Sequence, residues 1–152
     1  MIIIQDTREK KPWNFKSFKE CRGQVVDTVG AGDYIIKGEE TLITIDRKYK
    51  PTELAENLGM HIKRFEREME RMQVYKFKYV LCEFPYHKLL KFPYGCGLPK
   101  FLIRRIRVTG KFLVKQVERL SEEYEVEFIF CDNRVEAQEK AMELFKEALE
   151  YG

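Results

Sequence analysis

Gly32-Asp33-Tyr34-Ile35-Ile36-Lys37-Gly38-Glu39-Glu40-Thr41-Leu42-Ile43-Thr44-Ile45-Asp46-Arg47-Lys48 reads as two strands folded back on one another. The runs Tyr34–Ile36 and Thr41–Ile45 are rich in β-branched residues and flank a short turn containing Gly38, the pattern of a β-hairpin. Asp33 opens the first strand, and Asp46 and Lys48 close the second. Residues i and i+2 of a strand share a face, so Asp46 and Lys48 project together and Arg47 projects to the other side. Folding at residues 37–40 brings Asp33 alongside Asp46. Two carboxylates and an ammonium then meet at one mouth of a sheet. Such hard oxygen ligands suit an octahedral Mg2+ or Mn2+ that keeps several waters. An ion of that kind activates water and neutralises charge on a phosphodiester. Acidic-x-Lys tripeptides are common in a chain with 35% charged residues. The same spacing therefore also reads as a solvated hairpin end with a surface ion pair.

Outward from the hairpin, Ile2–Ile4 and Gln24–Val29 are further candidate strands, the second closed by Gly30-Ala31-Gly32. After Pro51 the period changes. Thr52 is placed to cap a helix reaching Leu58, with Gly59 as its stop. Ile62, Phe65, Met69 and Met72 recur at helical spacing, and the alternating charges from Lys63 to Arg71 fit a solvated helix face with i,i+4 pairs. Phe77–Phe84 is a nearly continuous apolar run, as in a strand covered on both faces. Residues 85–99, with three prolines and two glycines, read as loop, and 100–124 as helix with a candidate break at Thr109-Gly110. Val126–Cys131 is another short strand. The last helix opens on Asn133 with Glu136 three residues on, a capping box, and carries Val135, Met142, Phe145 and Leu149 on an apolar face. A strand-rich half followed by helix, strand, helix, strand, helix predicts an α/β fold. The expectation is a single domain over 1–152, with a mixed central β-sheet flanked by helices.

With 152 residues and 44% hydrophobic content, the chain is long enough for one real core. No run approaches the roughly 20 apolar residues of a membrane span, so no membrane partner is expected. The opening Met-Ile-Ile-Ile-Gln-Asp lacks a basic region and a cleavage site and reads as a strand. The four cysteines form no C-x-x-C pair, and His61 and His87 complete no zinc pattern. Cys82 and Cys131 close apolar runs, where small buried hydrophobes belong. Cys96, between two glycines, is the one candidate reactive thiol. Reduced thiols point to a reducing, cytoplasmic or nucleoid-associated setting. A net charge of +3 does not by itself mark a nucleic-acid binder.

Beyond the hairpin, Asp6-Thr7-Arg8-Glu9 ends the first strand and is followed by Pro12-Trp13. Gly32-Asp33-Tyr34-Ile35 and Ile45-Asp46-Arg47-Lys48 follow, then Arg64-Phe65 and a buried strand ending at Glu83. This ordered set resembles the nuclease domain of the XPF-like structure-specific endonucleases, in the PD-(D/E)XK superfamily. The likeness is densest from residue 2 to 84. The resemblance implies a restriction-endonuclease-like fold and Mg2+- or Mn2+-dependent hydrolysis of DNA at branches, flaps or junctions, as in repair, recombination or replication. It implies that Asp33 and Asp46 bind the metal, that Lys48 is the catalytic lysine and Arg47 the middle arginine of its motif, and that Asp6 and Arg8 flank the metal and place the phosphate. Arg64 and Phe65 match a segment behind the site. There are two departures: Asp46 stands where the family has Glu, and Thr52 where it has Asp. Glu53 is the alternative for that last role, and Asp6 and Glu53 are further candidate ligands.

A catalytically silent DNA-binding or scaffolding relative is the runner-up reading, and an RNA-processing nuclease a third. Trp13 reads as a core or lid residue, with stacking on DNA as the alternative. Glu66, Glu68 and Glu70 read as structural. On one continuous helix Arg104, Arg107, Lys111 and Lys115 would fall near one face, a stripe for DNA phosphates or an ordinary exposed basic face. The family often carries a helix-hairpin-helix module, for which 152 residues leave no room. The expectation is a lone nuclease domain, as in compact phage or prokaryotic proteins, with a homodimer or a partner protein adding grip on DNA.

Overall fold

The computed structural model describes residues 1–152. Six strands form one mixed sheet: β1 (Ile2–Asp6), β2 (Gly23–Asp27), β3 (Tyr34–Ile36), β4 (Ile43–Lys48), β5 (Phe77–Cys82) and β6 (Glu127–Phe130). Their spatial order is β2-β1-β3-β4-β5-β6. β1, β3 and β4 run antiparallel to their neighbours within this trio, while β2, β5 and β6 attach in parallel. The helices are α1 (Pro51–Leu58), α2 (Ile62–Arg71), α3 (Tyr86–Leu90), α4 (Lys100–Ile103), α5 (Gly110–Tyr124) and α6 (Arg134–Tyr151). No helix is long and apolar enough to cross a membrane.

Strand periodicity divides the core in two. Ile4, Ile35, Val80 and Cys82 pack against Leu54, Leu58, Phe65, Met69 and Leu113 of α1, α2 and α5. Ile3, Tyr34, Ile36, Ile43, Ile45 and Leu81 pack against Trp13, Phe15 and α6. Alternate residues of one strand thus enter opposite layers. Every residue of β4 is buried, the mark of a central strand. With Ile43 and Ile45 in the α6 layer, Arg47 shares that layer, and Asp46 and Lys48 lie on the α1–α2 side.

Four local expectations are corrected. Lys50 is the N-cap of α1, without a side-chain hydrogen bond, and Pro51 takes the first helical position, where its missing N–H costs nothing. Thr52 is therefore inside the first turn. Residues 85–99 are not all loop, since α3 occupies Tyr86–Leu90. The helix expected from 100 to 124 does break at the candidate Thr109-Gly110, but the break is wider, with α4 ending at Ile103 and α5 starting at Gly110. The six residues between them end on Thr109, whose hydroxyl accepts the N–H of Phe112 at 3.2 Å and starts α5. In α6, Met142 and Phe145 are buried, but Val135 and Leu149 are exposed. Ala137, Ala141 and Ala148 make up the stripe instead, and their small side chains let the helix approach the sheet. Asn133 does cap α6, accepting the N–H of Glu136 at 2.9 Å.

Candidate active site

The hairpin carries out the convergence that its spacing suggested. The N–H of Asp33 donates to the carbonyl of Ile45 at 2.8 Å, and Asp33 Oδ2 accepts the N–H of Arg47 at 2.7 Å. Asp33 is thereby pinned across β4 from Asp46. Gly32, with φ of 79°, makes the bend: a Cβ there would fall on the Thr44 hydroxyl and the Ile45 backbone. Its N–H donates to Glu68 Oε1 at 2.6 Å, which ties the bend to α2.

Asp33, Asp46, Lys48, Glu9, Glu53 and Arg8 line a cleft of about 390 Å³ with only one hydrophobic residue, Tyr49, on its wall. Asp46 and Lys48 also line a second opening with Arg64, Phe65 and Glu68. Lys48 Nζ stands 3.0 Å from Asp46 Oδ2 and 5.2 Å from the centre of the Phe65 ring. Asp46 Oδ2 is nonetheless a buried oxygen without a hydrogen bond of proper geometry.

The electrostatics follow from crowding charges out of water. Burial, then the neighbouring Asp46 and Glu9, hold the Asp33 carboxyl well above the usual range, against the Arg47 N–H and Lys48. Burial also raises Asp46, Lys48 opposes that, and Glu68 reinforces it. For Lys48, burial works to lower the pKa, but Asp46, Glu53 and Asp33 together raise it. The lysine therefore stays an ammonium at neutral pH.

Arg47 is turned away from its neighbours. Its guanidinium meets Glu83 through two hydrogen bonds of 3.0 and 2.9 Å and Glu9 at 3.2 Å, with the Trp13 ring 5.7 Å away. It fixes the site through its backbone N–H and through this clamp. Trp13 is fully buried, stacked on Tyr34, with its indole N–H donating to Glu83 at 3.0 Å. It is a core residue.

Asp6 is buried, and both its oxygens are engaged: one accepts the N–H of Val29 at 3.1 Å, the other Arg8 Nε at 3.0 Å. It holds Arg8, whose side chain is 76% exposed, beside the cleft. Glu53 reaches the cleft, accepting the N–H of Tyr49 at 3.0 Å, and burial raises its pKa against the pull of Lys48. Thr52 Oγ1 is buried without a partner.

Two residues of the quoted motifs, Glu9 and Glu83, take a place at the site that their sequence positions do not assign. Glu9 lines the cleft and keeps a buried oxygen without a partner. Glu83 clamps Arg47 from 36 residues away, which local spacing does not reveal. Of the charges on α2, Glu66 pairs with Arg119 of α5 at 2.7 Å, and Glu68 pairs with Arg71. The basic set is split: Arg104 follows α4, Arg107 lies between helices, and Lys111 and Lys115 are on α5. They do not form one helical stripe.

No three Asp, Glu, His or Cys side chains form a ready cage for a metal. Buried Asp46, with an oxygen that makes no hydrogen bond, and half-buried Asp33 beside it form a donor set suited to a hard divalent cation that takes one or two carboxylates and completes its shell with water and phosphate. The residues fit such an ion.

Two solved structures share this architecture. XPF from Aeropyrum pernix superposes with a TM-score of 0.69 over 99% of this chain at 16% identity. The XPF from Aeropyrum pernix in complex with DNA gives 0.67 over 98% at 17%. The chain spans 66% and 65% of those two chains. No family model and no curated protein matches the sequence. At these identities the likeness is one of fold.

Proposed function

From an XPF-like nuclease fold that gathers Asp33, Asp46 and Lys48 in one polar cleft, we propose that this chain is a metal-dependent DNA endonuclease. Its substrate is branched, flap or junction DNA, cut at a phosphodiester with Mg2+ or Mn2+, in repair, recombination or replication. The observation that carries the proposal is the Asp33–Asp46 pair, Asp46 buried and Asp33 half-buried at the cleft wall. Ionised carboxylates held together out of water are costly, and a divalent cation removes that cost.

Asp33 and Asp46 would hold the cation, with Glu53 and Glu9 at the cleft wall. The cation would supply charge neutralisation at the phosphodiester and an activated water. Lys48, kept protonated, places a positive charge where negative charge develops on the phosphate oxygens. Arg8, anchored by Asp6, is free at the rim to hold the phosphate on the incoming backbone. Arg47 positions Asp33 and leaves its own guanidinium in the Glu83 clamp. Recognition then rests on backbone and shape more than on base edges. A second copy or a partner protein extends the grip on DNA. The four free thiols suit a reducing, intracellular compartment.

The test is cleavage of labelled flap, fork, four-way junction and linear DNA with Mg2+ or Mn2+. Products are expected on a branched substrate, none in chelator, and at least about a hundredfold loss in Asp33→Asn. No metal-dependent product on any substrate ends the nuclease reading. Full activity in the variant ends the site assignment.

A further inference from the structure

From Phe84 to Val117 the chain carries eight Lys and Arg and no Asp or Glu, while the other residues carry 20 Lys and Arg against 25 Asp and Glu. A modest net charge thus conceals one strongly basic segment on an otherwise acidic molecule. All eight side chains are exposed, and none belongs to an ion pair of the molecule. The segment is a free positive field for a polyanion.

It also exposes rings. Tyr94 is 65% exposed and Phe101 60%. Two clefts share Phe92, Ile106 and Val108 as lining. Lys91, Tyr94 and Lys111 line the first, and Met60, Arg105 and Arg107 the second. The second cleft reaches Thr52 and Glu56 of α1, and Glu53 between them in that helix lines the catalytic cleft. The two surfaces therefore meet across one turn of α1.

Exposed aromatics among unpaired cations suit a strand whose bases are free to stack. Duplex bases are already stacked on one another. A second copy of this face would bring eight like charges against eight. We propose that Lys91, Tyr94, Phe101, Arg105, Arg107 and Lys111 hold a single-stranded DNA arm, bases on the rings and phosphates on the cations, and lead it across α1 to the cleft. This rests on the reading of the chain as a DNA-cleaving enzyme.

The experiment measures binding of the full chain to fluorescent dT15 by anisotropy in chelator at several salt concentrations. Tyr94→Ala with Phe101→Ala should weaken dT15 binding about tenfold, leave the salt slope unchanged and leave binding to a blunt duplex within about twofold. Tyr94→Phe with Phe101→Trp should restore binding. Arg105→Ala with Arg107→Ala should flatten the slope by about 1.4, at roughly 0.7 per single-strand phosphate contact. Unchanged dT15 affinity in the ring variant overturns the proposal, as does tenfold tighter binding of rU15. So does a dimer that the ring variant splits while dT15 affinity holds. Because binding is read without metal, a failure of cleavage counts against the nuclease reading alone.

Discussion

Asp33 and Asp46 share one poorly solvated corner of the fold, Asp46 buried and Asp33 half-buried, and their protonation is coupled to its stability. Both have folded pKa values above the unfolded ones. Their stabilising contribution is complete below the unfolded carboxylate range and is lost as pH rises through the raised values. In chelator, wild type should therefore lose stability relative to Asp33→Asn as pH rises above the ordinary carboxylate range. Paired urea titrations measure this, and a gap between the two proteins that does not change with pH would refute it. Arg47 poses the opposite problem, a cation buried with its partner. Glu83→Ala removes two of the three bonds to that guanidinium and leaves Glu9 as its one carboxylate partner, and should cost about 2–3 kcal/mol, read as a fall in the urea midpoint.

At the scale of elements, the site depends on one bend and one strand. Gly32 holds a positive φ with no room for a side chain beside Thr44. Gly32→Ala should cost about 1–3 kcal/mol and lower cleavage further than stability explains, because Asp33 moves with the bend. Denaturation and single-turnover cleavage of the folded variant separate the two effects. β4 was legible from its β-branched run, and the sharing of a face by Asp46 and Lys48 follows from strand period alone. The break between α4 and α5 was only half legible. Thr109-Gly110 signalled it, but Leu102, Ile103 and Ile106 keep helical spacing across the end of α4 while lining clefts outside any long helix. Gly110 is required because a Cβ there would fall on the Leu90 carbonyl, a contact between α5 and α3 that no local pattern announces.

For the whole molecule, a bound cation should act as a structural ligand. At a hundred times its Kd, a ligand that binds only the folded state adds about 2.7 kcal/mol, and each kcal/mol moves Tm by about 2–4 °C at this size. Mn2+ or Mg2+ should raise the wild-type Tm by several degrees and leave that of Asp33→Asn unmoved. Equal shifts in both proteins would place the cation elsewhere. The charge of the molecule is also organised globally, with the basic field on 84–117 and the acidic balance on the rest of the chain.

The residue order by itself determined the strands, the hairpin and the side of β4 on which Asp46 and Lys48 lie. Those features depend on short-range periodicity and turn chemistry. Tertiary structure decided what surrounds them. Glu83 reaches Arg47 through the parallel pairing of β4 with β5, Glu68 reaches Gly32 from α2, and Glu9 turns toward the cleft from the end of β1. These contacts join residues tens of positions apart. Burial is the largest cause of the raised carboxylate pKa values, Glu9 adds to it at Asp33 and Glu68 at Asp46, and burial belongs to the assembled layers rather than to any segment.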